Sequence, residues 1–420
     1  MRSVDEHRRV VADLITPRLP VAVPLADALG LVLAEAVVAP LSLPGFDNSA
    51  MDGYAVVAED VAGASADDPV LLPVAEDIPA GRTDRLTLKP GTAHRIMTGA
   101  PLPAGATAVV PVEATGAAWS ATSDADGPTD TVAIRAPAAP GAHIRRAGED
   151  VTAGSTVLRA GQVVTPAVLG LAAALGLGDL RVVPRQRVLV MSTGSELVAP
   201  GVPLKPGQIY ESNAFMLAAA VRDAGGEVIA SPMVGDDVDQ FRAVLNRHAG
   251  DADLIITTGG VSAGAYEVVK DALLSEVEFV KVAMQPGMPQ GSGRVTEAGR
   301  PATSDGEGTP IITLPGNPVS ALVSFEVFIR TPLRAAMGLA HPERPRVTAE
   351  LKEDLTSPPG KRQFRRGVLD TEAGAVTSYG PPASHHLRWL ASANCLLEIG
   401  EDVTDLAAGS AVQVWDLSGG

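Results

Sequence analysis

Blocks of apolar and polar positions divide the chain into segments of different predicted structure. The opening stretch, MRSVDEHRRVVADLI, has the spacing of a charged amphipathic helix, and a second helix is predicted over residues 25–38, after a turn at 17–24. From residue 44 to about 150, short apolar runs alternate with Gly/Pro turns. This pattern predicts a compact β-rich module inserted into the chain, with a polar hairpin tip at 120–130.

Residues 151–182 return to strand and helix, so the first and third pieces of the chain are predicted to form one discontinuous linker domain. The apolar stretch 163–177 contains Thr165 and Pro166, which are typical of an N-cap and a first-turn proline. This stretch is too short to cross a membrane. It therefore predicts a core helix.

Strands and helices alternate regularly after Gln186. RVLVMSTG, GEVIASPMVGDD, DLIITTGG and PIITLPGN are apolar runs that end in polar or Gly-rich loops, with helices predicted at 214–224, 238–247, 266–275 and 319–333. Such alternation predicts a parallel, doubly wound α/β sheet, whose ligands bind at the carboxyl ends of the strands. After residue 345 the pattern predicts a small, separate β domain.

Composition limits the class of protein. Hydrophobic residues make up 46% of the 420 residues and charged residues 20%, which excludes a disordered chain, and the net charge is −16. No basic cluster resembles a nucleic-acid or membrane-binding surface, so neither partner is expected. The single cysteine, Cys395, excludes an intrachain disulfide and is expected to be a buried structural thiol. The charged N-terminal helix differs from a signal peptide, and a cytoplasmic location is expected.

Two loops at the predicted strand ends suit an anion. In TTGGVSAG, Gly259 and Gly260 followed by Ser262 let backbone N–H groups point at a phosphate, although many α/β proteins have glycine turns there. The second loop and helix start, in LPGNPVSALVSF, give a sharper signal, with an ordinary loop–helix junction as the alternative. They consist of Pro315, Gly316, Asn317, Pro318 and Ser320.

Carboxylates gather at the same predicted edge. Glu196 follows the first strand, Asp236 and Asp237 follow the second, and Glu267 opens the helix after the third. Because Mg²⁺ takes one or two carboxylates together with substrate phosphates, a shared Mg²⁺ site is predicted. The alternative is that acids such as Asp237 interact with a helix dipole.

Few cations are available to a phosphate. The chain has six lysines, and Lys270 and Lys281 lie near the predicted site; a phosphate contact and a solvated lysine are equally compatible with Lys281. In the inserted module, Arg145 and its neighbour Arg146 can bind an anion or pair with Asp150. The residues alone thus predict a cytoplasmic, Mg²⁺-dependent α/β protein that binds a phosphorylated or nucleotide-bearing small molecule.

Several motifs in order along the chain carry a family resemblance. PGFDNSAMDGYAV, RIMTGAPLPAGATAVVPVE, IRRAGEDVTAG, STGSEL, GQIYESN, TGGVSAG, PGMPQG and LPGNPVSALVSF together resemble the molybdopterin molybdenumtransferase family, which is similar also to the C-terminal part of gephyrin. The resemblance covers nearly the whole chain.

The resemblance implies an elongated homodimer with a shared active site. The implied domains are a linker domain at 1–43 and 150–184, an inserted β-rich domain at 44–149, an α/β molybdopterin-binding domain at 185–338 and a C-terminal β-barrel-like domain at 339–420. The implied reaction converts molybdate and adenylated molybdopterin to molybdenum cofactor and AMP, with Mg²⁺. Implied partners are the adenylyltransferase that precedes this step and the molybdoenzymes that receive the product.

Residue roles follow from the same resemblance. In the inserted domain, Asp52 would be the catalytic or oxyanion-positioning carboxylate on a loop that crosses the dimer, with Ser49 beside it, and Thr98, Arg145 and Asp150 would share the catalytic site. Glu196, Asp236 and Lys281 would lie in the pterin and phosphate pocket. Arg366 and Ser384 would face the cleft from the last domain.

This chain departs from the family pattern at three positions. Glu267 replaces a common aspartate, and QPGMP, with Gln285 and Met288, stands where KPGKP is common. Two positive charges are thereby missing from the expected pocket, so Lys281, Arg145 and backbone donors gain importance.

Two other functions remain as alternatives. Adenylyl transfer from ATP to molybdopterin uses a similar α/β domain but would not need the inserted module or the C-terminal barrel. A non-catalytic scaffold like gephyrin is the other, although the intact MDGYAV and MTGAP loops argue against it.

Overall fold

The computed structural model describes residues 1–116, 131–260, 268–296 and 308–418. They form two compact units. The main unit comprises Met1–Ala34, Gly161–Val164 and Leu180–Gly420, and the inserted unit comprises Glu35–Ala160 and Thr165–Asp179. The predicted hairpin tip at 120–130 lies outside the described residues.

The inserted unit is built around a five-stranded sheet, as the short apolar runs predict. Its core consists of residues such as Tyr54, Val56, Val110 and Val132. The strands in spatial order are Ala108–Pro111, Gly53–Val56, Ala93–Ile96, Val70–Ile78 and Thr131–Ile134. Two small pairings complete the unit, Asn48–Ser49 with Ile144–Arg145 and Val37–Val38 with Thr156–Leu158, together with the helix Pro166–Ala174. Thr165 caps this helix through Val168 N and Pro166 occupies its first turn, which confirms both expectations.

A seven-stranded sheet forms the centre of the main unit. Its parallel strands are Glu227–Ala230, Arg187–Thr193, Met233–Val234, Leu254–Thr258 and Thr309–Leu314. The expectation of a wholly parallel sheet is wrong at one edge, where Pro289–Val295 and Val277–Lys281 add two antiparallel strands. The strands are close here because of glycine: a Cβ on Gly291 would lie 2.2 Å from Thr313 Oγ1.

Helices cover both faces of this sheet, as the doubly wound pattern predicts. Val188 and Val190 face one core with Leu217 and Val221, whereas Leu189 and Met191 face the other. Because side chains alternate along a strand, a sheet buried on both faces gives the continuous apolar runs seen in the sequence. The helices are Asn213–Asp223, Val238–Ala249, Val268–Leu273, Pro318–Ser324 and Arg330–Ala336, with a π-helical turn at Phe325–Ile329 between the last two.

The N-terminal region of the main unit agrees only partly with prediction. The first helix is confirmed at Val4–Leu14, with a capping box between Ser3 and Glu6. The helix predicted over 25–38 is wrong. A 3₁₀ turn, Leu25–Asp27, is followed by the strand Val32–Leu33, and Val21–Pro24, Asp179–Val183 and Val32–Leu33 make a three-stranded sheet.

The C-terminal segment is a closed five-stranded barrel. Its strands follow one another around the ring as Arg362–Asp370, Ala375–Ser378, Arg346–Leu351, Ala411–Asp416 and Cys395–Ile399, and the last pairs with the first. Cys395 is confirmed as a buried thiol in its core. The smaller elements are Leu355–Thr356 paired with Asp405–Leu406, Met284–Gln285 beside the first barrel strand, Leu197–Val198 paired with Ile209–Tyr210, and the helix Leu387–Leu390. Among the described helices, none has the length and apolar character needed to span a membrane.

Candidate functional site

A cavity of about 550 Å³ opens at the carboxyl ends of the parallel strands. This is the position at which open α/β sheets bind ligands, and the volume suits a small-molecule site. Of the residues predicted from sequence, the cavity wall contains Glu196, Asp236, Gly259, Gly260, Pro315, Gly316, Asn317 and Pro318.

Close backbone packing explains the glycines in the wall. Gly259 has φ +90°, and a Cβ there would lie 2.6 Å from the carbonyl oxygen of Thr193. A Cβ on Gly316 would contact Gly259 Cα at 3.4 Å. The loops after two adjacent strands thus lie directly against each other. Asn317 stands at the N-cap of the following helix, and Pro318 occupies its first turn.

Two exposed carboxylates stand at the rim of the cavity. Asp236 Oδ2 accepts a hydrogen bond from Ser195 N at 2.9 Å, and Ser195 Oγ accepts one from Asp236 N at 2.8 Å. Glu196 folds back over Gly194, where a Cβ would meet its carboxylate at 2.7 Å. Within the described ranges, no group of three His, Cys, Asp or Glu side chains is placed to hold a metal ion. Two rim carboxylates nevertheless fit Mg²⁺ when the remaining ligands are water and substrate phosphates.

A third carboxylate, Glu211, lies buried in the cavity wall and is not among the residues predicted from the sequence. Its Oε1 accepts hydrogen bonds from Ser192 Oγ at 2.8 Å and from Ala214 N at 2.7 Å. Nearby, Asn213 Nδ2 donates to the carbonyl oxygen of Gly316 at 2.7 Å and so ties the start of its helix to the second anion loop. The signal was the polar run YESN between a strand and a helix.

Other predicted binding residues lie outside the cavity wall. Lys270 is half-buried and its backbone N donates to Gly260 O at 3.1 Å, whereas Lys281 is exposed on an antiparallel edge strand. Ser320 is buried within its helix. Ser262 and Glu267 lie outside the described residues.

Arg366 and Ser384 lie on the barrel side of the helix Pro318–Ser324. The Arg366 guanidinium is buried and donates to the backbone carbonyls of Ala383, His386 and Pro381. Ser384 O in turn accepts from Val319 N at 3.1 Å. Arg366 therefore supports the loop that rests on the helix start, and its contact with a ligand stays a prediction.

The two residues that replace common lysines make internal contacts. Gln285 Oε1 accepts from Gln363 Nε2 at 2.9 Å, and Met288 O accepts from Val282 N at 2.7 Å. Neither residue belongs to the cavity wall, and no Lys or Arg does among the residues that the structure describes.

The inserted unit holds a second polar cluster. Asp52 Oδ1 accepts hydrogen bonds from Thr98 N at 2.7 Å and Thr98 Oγ1 at 2.9 Å, so the structure brings these two predicted residues together. Ser49 Oγ is turned inward and donates to Met51 O. Arg145 and Asp150 are exposed.

Asp47, and not Asp150, pairs with Arg146. Arg146 donates to Asp47 Oδ2 at 2.6 Å, and Ala147 N donates to Asp47 Oδ1 at 2.8 Å. These hydrogen bonds lower the pKa of the Asp47 carboxyl, the contact from Ala147 contributing most. Asp47 therefore fixes the loop beside the Asp52–Thr98 pair.

Comparison with known proteins covers almost the entire chain. Residues 2–176 match the family model of the MoeA N-terminal region (domain I and II), 189–335 that of a probable molybdopterin binding domain, and 348–417 that of the MoeA C-terminal region (domain IV). The structure is similar to two crystal structures of the molybdopterin biosynthesis MoeA protein from Pyrococcus horikoshii, with TM-scores of 0.77 and 0.68, 29% and 28% identity and at least 99% coverage of each chain.

Sequence relatives agree with these matches. The chain is 68% identical over 426 residues to molybdopterin molybdenumtransferase 2 of Mycobacterium tuberculosis, with 100% of both chains covered. It is 32% identical to molybdopterin molybdenumtransferase of Haemophilus influenzae, with 99% and 98% covered. With its sheet, barrel and inserted unit in the order that these matches require, the chain belongs to the molybdopterin molybdenumtransferase family and is an enzyme of molybdenum cofactor biosynthesis.

Proposed function

We propose that this enzyme transfers molybdenum from molybdate to adenylated molybdopterin, with release of AMP and with Mg²⁺ as cofactor. The observation that carries the proposal is the 550 Å³ cavity at the strand ends, inside the segment that matches a molybdopterin-binding domain. Its two glycine loops offer close backbone approach to phosphates. Its rim carboxylates offer the ligands that Mg²⁺ prefers.

Glu196 and Asp236 are the residues that would hold Mg²⁺. The bound ion would neutralise the phosphate oxygens and polarise the bond that releases AMP. Ser195 fixes the Asp236 carboxylate from one side, which leaves Asp236 Oδ1 without a hydrogen-bond partner in the described part of the chain. The protein thus orients one ligand atom before a substrate arrives.

We also propose that the enzyme is a homodimer in which a second copy supplies the Asp52 loop to this cavity. Asp52 is exposed, and both hydrogen bonds from Thr98 go to its Oδ1. Its Oδ2 is therefore available to position a substrate group. Arg145, exposed in the same unit, would bring a positive charge that the described cavity wall lacks.

The first test is AMP release from adenylated molybdopterin, with and without molybdate and Mg²⁺. We expect release that needs both, and an Asp52→Asn variant that is slower by about 100-fold, the range typical of a lost catalytic acid or base. Asp67→Asn, an exposed carboxylate of the same unit, is the matched control and should release AMP at the wild-type rate. Release that ignores molybdate, or that Asp52→Asn leaves unchanged, would contradict the proposal.

The dimer is tested by mixing two inactive variants. Asp52→Asn lacks the loop function and Asp236→Asn lacks the cavity function, so a mixed dimer contains one intact site if the two parts come from different copies. Partial recovery of AMP release after refolding the two together supports the shared site. Two variants that stay inactive, although sedimentation shows mixed dimers, would contradict it.

A further inference from the structure

Glu211 is a buried charge without a cation. Glu211 is 5% exposed, and no Lys, Arg or His pairs with it among the residues that the structure describes. Burying a carboxylate is costly unless hydrogen bonds or a counter-charge compensate. Among the described residues, its donors are both neutral, Ser192 Oγ and Ala214 N. The remaining capacity of this carboxylate calls for a donor from outside.

The two oxygens of Glu211 have different surroundings. Both hydrogen bonds go to Oε1, at 2.8 and 2.7 Å, and they fix the orientation of the carboxylate. Oε2 accepts no hydrogen bond from the described residues and is not enclosed by them, and Glu211 is part of the cavity wall. A fixed carboxylate with one free oxygen on a ligand cavity is a hydrogen-bond acceptor prepared for a ligand N–H or O–H.

Glu211 differs in this from the two rim carboxylates. Glu196 and Asp236 are exposed to water and suit a hydrated Mg²⁺ and its phosphates. Glu211 is buried, and a phosphate placed against it would be repelled. Glu211 does not join the two rim carboxylates as a third metal ligand either, because no three His, Cys, Asp or Glu side chains converge in the described ranges. Its partner is therefore an uncharged, donor-bearing part of the substrate.

We propose that Glu211 recognises the pterin ring of the substrate through the ring's 2-amino and N3–H edge. This edge places two N–H donors side by side, and the free Oε2 of the fixed carboxylate can accept a hydrogen bond from them. The proposal rests on the proposed function, since it assigns one part of the molybdopterin substrate to one wall of the cavity. The phosphates and AMP then extend toward the rim carboxylates.

Capping of the Asn213–Asp223 helix by Glu211 is the structural alternative, and a single substitution separates the two roles. In Glu211→Gln the side-chain oxygen still accepts from Ser192 and Ala214, while Nε2 takes the place of the free Oε2. The helix keeps its hydrogen bonds, but the ligand meets a donor instead of an acceptor. Asp237→Asn is the matched control, because Asp237 caps the next helix through Gln240 N at 2.7 Å and lies outside the cavity wall.

The experiment measures equilibrium binding of two fluorescent probes, 6-hydroxymethylpterin and 6-hydroxymethyllumazine. The lumazine carries an oxygen acceptor in place of the 2-amino donor and is otherwise the same size. We expect wild type to bind the pterin about 10-fold or more tightly than the lumazine, as for one hydrogen bond to a charged group. Glu211→Gln should lose about 10-fold for the pterin and shift its preference toward the lumazine. AMP affinity should not change in either variant.

Each other outcome overturns the inference. Equal effects of Glu211→Gln on both probes would assign Glu211 to cavity structure alone, and weakened AMP with unchanged pterin would place the nucleotide at this wall. Wild type that binds neither probe, or that does not distinguish them, also refutes it. Because these measurements need no turnover, failure of AMP release with a clear probe preference would refute the proposed reaction and leave this inference standing.

Discussion

His7 is a buried titratable group that makes the N-terminal helix sensitive to acid. The ring is 0% exposed, lies edge-on to Phe328 with ring centroids 4.7 Å apart, and has no hydrogen-bond partner on either nitrogen in the described part of the chain. Its pKa is lowered from 6.5 to about 4, mainly by burial and also by the nearby Arg2, while Glu278 acts in the opposite sense. The ring is therefore neutral in the folded protein at neutral pH.

The sign of the pH effect follows from this direction. Below about pH 6.5 an unfolded His7 binds a proton, whereas the folded ring binds one only near pH 4. Stability contributed by the neutral ring is therefore complete above pH 6.5 and is lost as the pH falls toward 4. A pKa difference of this size corresponds to about 3 kcal/mol.

His7→Leu removes the titration and keeps an apolar side chain of similar size against Phe328. We expect hydrogen exchange of residues 4–14 to show similar or greater protection in the variant at pH 7.5, and a relative gain of about 3 kcal/mol as the pH falls from 7 to 4. Comparing variant and wild type at each pH cancels the intrinsic pH dependence of exchange. His248→Gln, at a half-exposed position on another helix, is the control. A difference between wild type and His7→Leu that does not change with pH would refute the reasoning.

Two further predictions concern the barrel and the cavity. Burial raises the pKa of Cys395 to about 12, whereas in urea the thiol ionises normally. At pH 8 its reaction with dithionitrobenzoate should therefore be about 1,000-fold slower in the folded protein than in urea. Prompt labelling of the folded protein would contradict this. Asn213→Asp replaces the donor that holds Gly316 O with an oxygen of the same size, so AMP release should slow by about 10-fold. The control Asn246→Asp should release AMP at the wild-type rate. A wild-type rate in Asn213→Asp would show that this hydrogen bond does not position the loop.

The large-scale fold could be predicted because apolar runs repeat with a clear period. Strands buried on both faces and helices capped by residues such as Thr165 leave local signals. The helix expected over 25–38 failed because its Ala- and Leu-rich composition favours a helix, while long-range pairing decided otherwise. Val32–Leu33 pairs with Asp179–Val183. Gly30, at φ +76°, has a backbone conformation that ends any helix ahead of this strand.

The antiparallel edge of the sheet was missed for a related reason. Strand direction depends on connections and close contacts that a single apolar run does not encode. Gly293 gives an example, since a Cβ there would lie 2.0 Å from the carbonyl oxygen of Glu276 on the preceding connection. The sequence shows that residue 293 is a glycine, but not which backbone lies against it.

Glycine loops and rim acids of the candidate site could be predicted because they follow strands directly. The place of Glu211 in the site could not be predicted, because its side chain is fixed by Ser192 from one strand and by Ala214 at the start of the following helix. Arg366 shows the opposite limit. The family resemblance implies that it faces the cleft, yet its donors are directed to backbone carbonyls of the neighbouring loop.

The charge of the cavity restricts how a phosphorylated substrate can bind. Its described wall carries three carboxylates, Glu196, Asp236 and Glu211, and no lysine or arginine. Residues 261–267, outside the described ranges, have the sequence VSAGAYE and contain no lysine or arginine. Phosphates next to such a wall would be repelled unless positive charge accompanies them. A divalent cation at the rim and an arginine from a second copy are two sources that meet this need. Adenylated molybdopterin should therefore lose affinity steeply when Mg²⁺ is chelated, and again in Arg145→Gln, whereas the uncharged pterin probe should bind equally well in both cases. Pterin binding that depended on Mg²⁺ would place the metal at the Glu211 wall and contradict this division of the cavity.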